Sequence, residues 1–208
     1  KKQEGSYTDL YFNYSINQDL RDKKFRTESG YVTTFSQELP LISDSSELSN
    51  AFTITNYKKL SSTSDMVGKV SFFGKTITGL SDDVRISKRL NVPSYRLRGF
   101  QRGKIGPVEN NDYIGGNHVT SLNFSATLPT IVQGLDNLDV GIFLDAANVW
   151  GVDYDSSIDD KSALRSATGL ALNLMTPIGP LSFSFANALT KASSDKTETF
   201  RFNLGTQF

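Results

Sequence analysis

His118 is the only imidazole in the chain and cysteine is absent. That excludes a histidine-based nucleophile triad, a His-rich metal centre, thiolate chemistry and disulfides. His118 borders an apolar-periodic stretch and is expected in a loop. The acidic run Asp153, Asp155, Asp159 and Asp160 has enough carboxylates for Ca²⁺. It lacks the ordered alternation and turn glycine of a calcium loop, so a solvated external loop is expected. Gly115-Gly116 and Gly99 do not sit between a strand and a helix, as a phosphate cradle requires. No pair of carboxylates shares a strand face in an acid/base arrangement. A non-enzyme with no metal and no cofactor is the expectation. What remains is Arg98-Gly99-Phe100 in a long polar stretch, and Asp145 beside Phe143 in an alternating one. An arginine and a carboxylate form paired, charge-assisted hydrogen bonds when both leave water.

Whether they meet depends on the elements that carry them, and the dominant period is two. In 199–208 the even positions are Phe200, Phe202, Leu204, Thr206 and Phe208; the odd ones are Thr199, Arg201, Asn203, Gly205 and Gln207. Alternate side chains of a strand point to opposite faces, so one face is apolar and aromatic and the other polar. Leu122, Phe124, Ala126 and Leu128 alternate with Ser121, Asn123, Ser125 and Thr127 in the same way. Val140, Ile142 and Leu144 oppose Asp139, Gly141 and Asp145. Nine strands are expected, near 7–17, 30–39, 49–60, 67–78, 119–129, 138–150, 163–175, 180–190 and 198–208. Each approaches the roughly 9–11 residues that a tilted strand needs to cross a bilayer.

The polar faces are mainly Ser, Thr, Asn, Gly and Ala, which suits a wet lumen better than a protein surface. Pattern alone leaves a transmembrane barrel and a soluble β-sandwich both open. Links near 129–137 and 176–179 are short. Those at 40–48, 79–118, 151–162 and 191–197 are mostly longer and polar, as extracellular loops of such barrels are. The longest, 79–118, shows no clear secondary structure and is read as functional or disordered. Nothing divides residues 1–208 into separate domains. If the apolar face meets lipid, Asp145 points into the lumen and seeks a cation. Arg98 on an inward-folded loop would supply it; Arg98 in an external loop, with Asp145 in water, is the other arrangement.

Composition is consistent with this. Lys plus Arg and Asp plus Glu are 22 each, so the formal charge is zero. No basic field is present to gather nucleic acid. Mean hydropathy is −0.31, and no run approaches the roughly 18 apolar residues of a membrane helix. A barrel that alternates polar and apolar residues has just such an average. The first residues carry no apolar signal segment, so a targeting sequence is expected upstream.

Several ordered motifs resemble the BamA-type outer-membrane assembly factors of the bacterial surface antigen superfamily. Arg98-Gly99-Phe100 resembles the family's Arg-Gly-Phe/Tyr motif in a long extracellular loop, and QRGKIGP at 101–107 continues it. Gly115-Gly116-Asn117 is similar to the Gly-Gly-Asn opening the next strand. Phe143 to Trp150 resembles the Phe-x-Asp-x-Gly strand motif, with Ala147 in place of the glycine. Met175 to Leu181 resembles a Ser-Pro-x-Gly-Pro-Leu turn, and Phe200 to Phe208 the closing strand. Asp19-Leu20-Arg21-Asp22 followed by Gly30 resembles a periplasmic turn.

The resemblance implies an all-β, antiparallel transmembrane β-barrel in the outer membrane, with about nine of sixteen strands present and periplasmic POTRA domains upstream. It implies a loop anchored by Arg98, Gly99 and Phe100 against Phe143 and Asp145. Phe200, Phe202, Leu204, Gly205 and Phe208 would form a weakly paired seam and terminal signal. Implied partners are outer-membrane lipids, unfolded barrel clients and periplasmic accessory lipoproteins. A half-barrel alone would also expose strand edges that dimerisation can hide. A two-partner-secretion pore shares the Arg98 and Asp145 motifs. A porin or a soluble β-protein predicts no contact between them.

Overall fold

The computed structural model describes residues 6–24, 26–44, 46–129, 137–176 and 179–204. Its strands are β1 (Asp9–Asp19), β2 (Gly30–Ser43), β3 (Glu47–Lys59), β4 (Val67–Gly79), β5 (Val108–Glu109), β6 (Asp112–Tyr113), β7 (His118–Thr127), β8 (Leu138–Trp150), β9 (Arg165–Thr176), β10 (Gly179–Thr190) and β11 (Phe200–Leu204). Nine of them form one sheet, in the order β1-β2-β3-β4-β7-β8-β9-β10-β11, and every neighbouring pair is antiparallel. Each strand pairs with its sequence neighbour in the sheet, so the wall is an up-and-down meander. β1 and β11 do not pair among the described residues, and the wall is open.

The period of two sets the two faces. On the outer face Phe12, Ile16, Leu122, Phe124, Ile142, Leu144, Leu170 and Phe185 are exposed, and so are Phe200, Phe202 and Leu204. Phe183 and Phe202, opposite each other on β10 and β11, have ring centroids 5.1 Å apart, and Phe185 and Phe200 repeat that spacing. In water such a wall would be an aggregation surface; against lipid it is the stable face of a membrane barrel. No helix among the described residues is long and apolar enough to span a bilayer, so the strands do the crossing.

Two expectations about connections need correction. The 40–48 link is much shorter, because β2 runs on to Ser43 and β3 starts at Glu47. Pro40 does not stop β2: the β2–β3 ladder ends at Glu38, so the missing N–H of Pro40 is not needed there, and a register shift in the β1–β2 pairing accommodates it. The 79–118 stretch is ordered. It holds 3-10 turns at Ile86–Lys88 and Ser94–Arg96 and the β5–β6 hairpin.

That long loop also makes the core. Val84, Leu90, Val92, Leu97, Phe100 and Ile105 pack with Val119, Ala147, Val149 and Ala167 of the wall. The protein's dry interior is therefore a loop pressed onto the inner face of a sheet. Alternation along the strands did not reveal this, because the loop's apolar residues follow no period.

Candidate functional site

Asp145 stands on the inner face of β8, between Asn123 of β7 and Ala167 of β9. It is fully buried. The Arg98 backbone N–H donates to its Oδ2 at 3.1 Å, Arg98 Nε to Oδ2 at 2.7 Å and Arg98 Nη2 to Oδ1 at 2.8 Å. Asn123 Nδ2 donates to Oδ1 at 2.9 Å and also to the Arg96 carbonyl at 2.7 Å. A buried carboxylate is stable only when paired and hydrogen-bonded, and here four donors meet two oxygens. The guanidinium carbon of Arg98 lies 3.5 Å from the centroid of the Phe143 ring, which adds a cation–π contact.

Local sequence delivers Arg98 to this place. The turn Ser94–Arg96 ends at Leu97, whose φ of −145° returns the chain to an extended form. Leu97 and Phe100 sink into the apolar cluster on either side. Gly99 between them has φ +86°, and a Cβ there would lie 3.0 Å from Ala167 Cβ and 3.2 Å from Ala186 Cβ. Only glycine combines that backbone angle with that approach. Ala147, the departure from the family pattern, is buried in the same cluster.

Phe143 is held by an empty space opposite. Its register partner on β9 is Gly169, where a Cβ would come within 2.9 Å of Phe143 Cζ and 1.9 Å of the Phe185 carbonyl oxygen. The ring covers the bare backbone on one side and supports Arg98 on the other.

Around this centre lie ion pairs that sequence reading did not single out. Arg85 bonds Asp9 and, at 3.2 Å, Glu47. Arg89 bonds Asp153 at 2.5 Å and Asn117 at 3.1 Å. Arg165 bonds Asp195 at 2.9 Å and 3.1 Å. Each joins a loop segment to a strand or to another loop, and strand periodicity carries no signal for such long-range pairs. Arg201 of β11, a polar-face residue with no role assigned from sequence, bonds the Ser94 and Phe100 carbonyls and Glu198.

The acidic stretch at 153–160 is exposed at Asp153 and Asp159, as a solvated loop would be. Asp153 also accepts the Val84 N–H, the Asn117 amide and Arg89, so it fastens the long loop from its partly solvated position. Burial alone would raise its pKa; those hydrogen bonds and the Arg89 charge outweigh burial and hold it below the usual carboxylate range. Tyr154, beside it, is pushed up to about 12 by burial and by its bond to Glu109. His118 is not a loop residue: it opens β7, with its ring 5.5 Å from Trp150. No group of three or more potential metal ligands occurs among the described residues.

Arg98, Gly99, Phe100, Phe143 and Asp145 thus come together on the inner wall. Phe200, Phe202 and Leu204 point outward on β11, away from that cluster. Gly205 and Phe208 lie outside the described residues.

An antiparallel wall with an apolar outer face and a loop packed on its inner face is the build of an outer-membrane β-barrel protein. The chain belongs to the Omp85 superfamily, whose domain model matches residues 1–208. It is similar to the outer membrane protein assembly factor BamA of Neisseria meningitidis serogroup B, with 29% identity over 141 residues. That match covers 54% of this chain and 17% of the relative. The crystal structure of BamA from Haemophilus ducreyi lacking POTRA domains 1-3 superposes with a TM-score of 0.83 at 25% identity, over 92% of this chain and 41% of that one. The chain therefore spans less than half the length of either. A porin or a soluble β-protein is set aside by the family and by the Arg98–Asp145 contact.

Proposed function

We propose that this chain is the C-terminal part of a sixteen-stranded barrel that folds and inserts other β-barrel proteins into the outer membrane, with POTRA domains preceding it. The observation that carries the reading is the long loop fixed inside the wall by Arg98 on Asp145; a secretion pore would share that contact, and the similarity to BamA proteins favours assembly. That loop packs on the inner face of β7, β8 and β9, where it would narrow a lumen and so speaks against an open diffusion pore. The family relationship and the BamA-like wall support the same reading.

The physical problem is the strand edge. Each unpaired N–H or C=O costs several kcal/mol in lipid. A barrel that offers its own edge lets an incoming strand pair before it meets hydrocarbon, by β-augmentation. β11 suits that role. Among the described residues it pairs with β10 from Phe200 to Leu204, and its other edge has no partner. Its exposed Phe200, Phe202 and Leu204 keep the strand in lipid while the edge is free. Gly205 would ease a bend at the seam, and Phe208 would end the terminal signal. Unfolded barrel clients, outer-membrane lipids and accessory lipoproteins are the partners this reading requires. The chain on its own would hide its two edges by dimerising.

Photo-crosslinking in living cells tests this. With a crosslinker at Asn203 of the full-length protein, precursors of outer-membrane barrels should be captured during their insertion. Capture of a secreted passenger, and no barrel precursor, would favour a secretion pore and sink the assembly reading.

A further inference from the structure

The segment Ser94–Phe100, which carries Arg98, is gripped from two sides. Asp145 of β8 holds its middle. Arg201 of β11 holds both ends: Nη1 donates to the Ser94 carbonyl, Nη2 to the Phe100 carbonyl, and Nε to Glu198 at 2.5 Å. The Arg201 side chain is 11% exposed, so these bonds have little competition from water. The residues just before β11 pair with the same loop. Phe100 and Thr197 form an antiparallel bridge, Glu198 N–H donates to the Gly99 carbonyl at 3.0 Å, and Gln101 N–H donates to the Lys196 carbonyl at 2.9 Å. The loop is therefore zipped to the approach of the last described strand and stapled by that strand's inward arginine.

We propose that Arg201 is a positioning residue that couples the seating of the long loop to the placement of β11. The inference rests on the assembly reading only for its use, namely that a seam strand which moves must register whether the loop is home. Physically, β11 cannot leave the wall without stripping the part-buried Ser94 and Phe100 carbonyls of this donor, and the loop cannot rise without leaving the guanidinium with Glu198 alone. Unsatisfied groups in such a place are costly. Loop and strand should therefore open together.

Hydrogen exchange on the full-length protein in outer-membrane vesicles tests the coupling. Asp145→Asn weakens the grip on the far side of the loop, on β8. With Arg201 present, exchange should quicken about tenfold in 94–104 and by a comparable factor in 200–204. In the Arg201→Gln background, Asp145→Asn should still quicken 94–104 but change 200–204 far less, since only the backbone pairing at 196–198 still links the two. A residue that merely stabilises β11 would leave this cross-effect whole. If Asp145→Asn leaves 200–204 unchanged while Arg201 is intact, the coupling is wrong. If Arg201→Gln fails to insert, Arg201→Lys, which keeps the charge but cannot bond both carbonyls and Glu198 at once, is measured in the same way. Client assembly followed in parallel separates the two ideas. If the cross-effect shrinks in Arg201→Gln while that variant assembles clients normally, the coupling stands and its role in assembly is removed.

Discussion

Phe143 and Gly169 stand directly opposite each other on β8 and β9, and the Phe143 ring shares with the β10 backbone at Phe185 and Ala186 the space that a side chain at Gly169 would need. The other side of the ring carries the Arg98 guanidinium at 3.5 Å. A glycine with no function of its own thus sets the height of the arginine that reaches Asp145. Gly169→Ala should push on the β10 backbone and on Phe143 together, and so loosen the loop. The check is limited proteolysis of the folded protein with trypsin, which has exposed sites at Arg102 and Lys104. Cleavage should be several-fold faster than in wild type.

Gly99→Ala should be worse. It combines a φ of +86° with contacts at 3.0 Å and 3.2 Å to two alanines of the wall. The left-handed conformation alone costs about 1–2 kcal/mol for a residue with a Cβ, and the crowding adds to it. The same proteolysis assay should show faster cutting than in Gly169→Ala.

The two ends of the ion pair should not be equivalent. Asp145 is fully buried and receives Arg98 through three donors, plus Asn123. Arg98 is 19% exposed and retains its ring contact. Arg98→Ala leaves a buried carboxylate still bonded to Asn123 and to a backbone N–H. Asp145→Ala leaves a cation that can turn toward water. Breaking a buried pair costs roughly 3–5 kcal/mol, and Arg98→Ala should sit at the upper end. Arg98→Lys should rescue little, since an ammonium cannot make the paired bonds. Midpoints of urea-induced unfolding in lipid vesicles give the order.

Much of the wall was legible in the sequence because period two is a local signal. Phe200-Arg201-Phe202 or Leu122-Asn123-Phe124 announces its two faces without knowledge of any other strand. The site was less legible. Residue physics left Arg98 either in water or in the lumen, and only its ordered neighbours, QRGKIGP and Phe143 to Trp150, spoke for the lumen. Arg85, Arg89, Arg165 and Arg201 were not readable at all. Their partners lie 30 or more residues away in most cases, as with Arg165 and Asp195, and choosing among the chain's carboxylates needs the fold. The fastening role of Asp153 was hidden for the same reason: it is exposed like a loop carboxylate, and only the fold places Arg89 and the Val84 N–H beside it.

Asp153 gives the loop an acid-sensitive fastening. Its carboxyl is held below its ordinary value of 3.8 in the folded protein. A carboxyl lowered by folding contributes stability fully above its unfolded pKa, and that contribution is lost as pH falls through the folded value. The outer part of the loop should therefore be steady down to about pH 5 and loosen progressively below about pH 4. Trp150 is the only tryptophan and lies close in sequence to Asp153, so its fluorescence reports the change. Asp153→Asn should remove the transition, and a transition that persists in that variant would assign it to another group.

Phe202 and Leu204 should answer to lipid and not to the loop. Phe202→Lys puts a charge on the exposed outer face of β11, which costs about 2–4 kcal/mol near the bilayer midplane. Insertion of the refolding protein into vesicles, followed by its heat-modifiable gel mobility, should fall, while inserted molecules keep wild-type resistance to trypsin at Arg102.

The most direct test of the central claim is complementation. Cells depleted of the full-length protein are supplied with wild type or Arg98→Ala at equal, membrane-inserted levels, and folded porin in the outer membrane is measured. The seated loop predicts that Arg98→Ala restores only a fraction of the folded porin that wild type restores. Equal recovery would contradict the claim that fixing the loop on Asp145 serves barrel assembly.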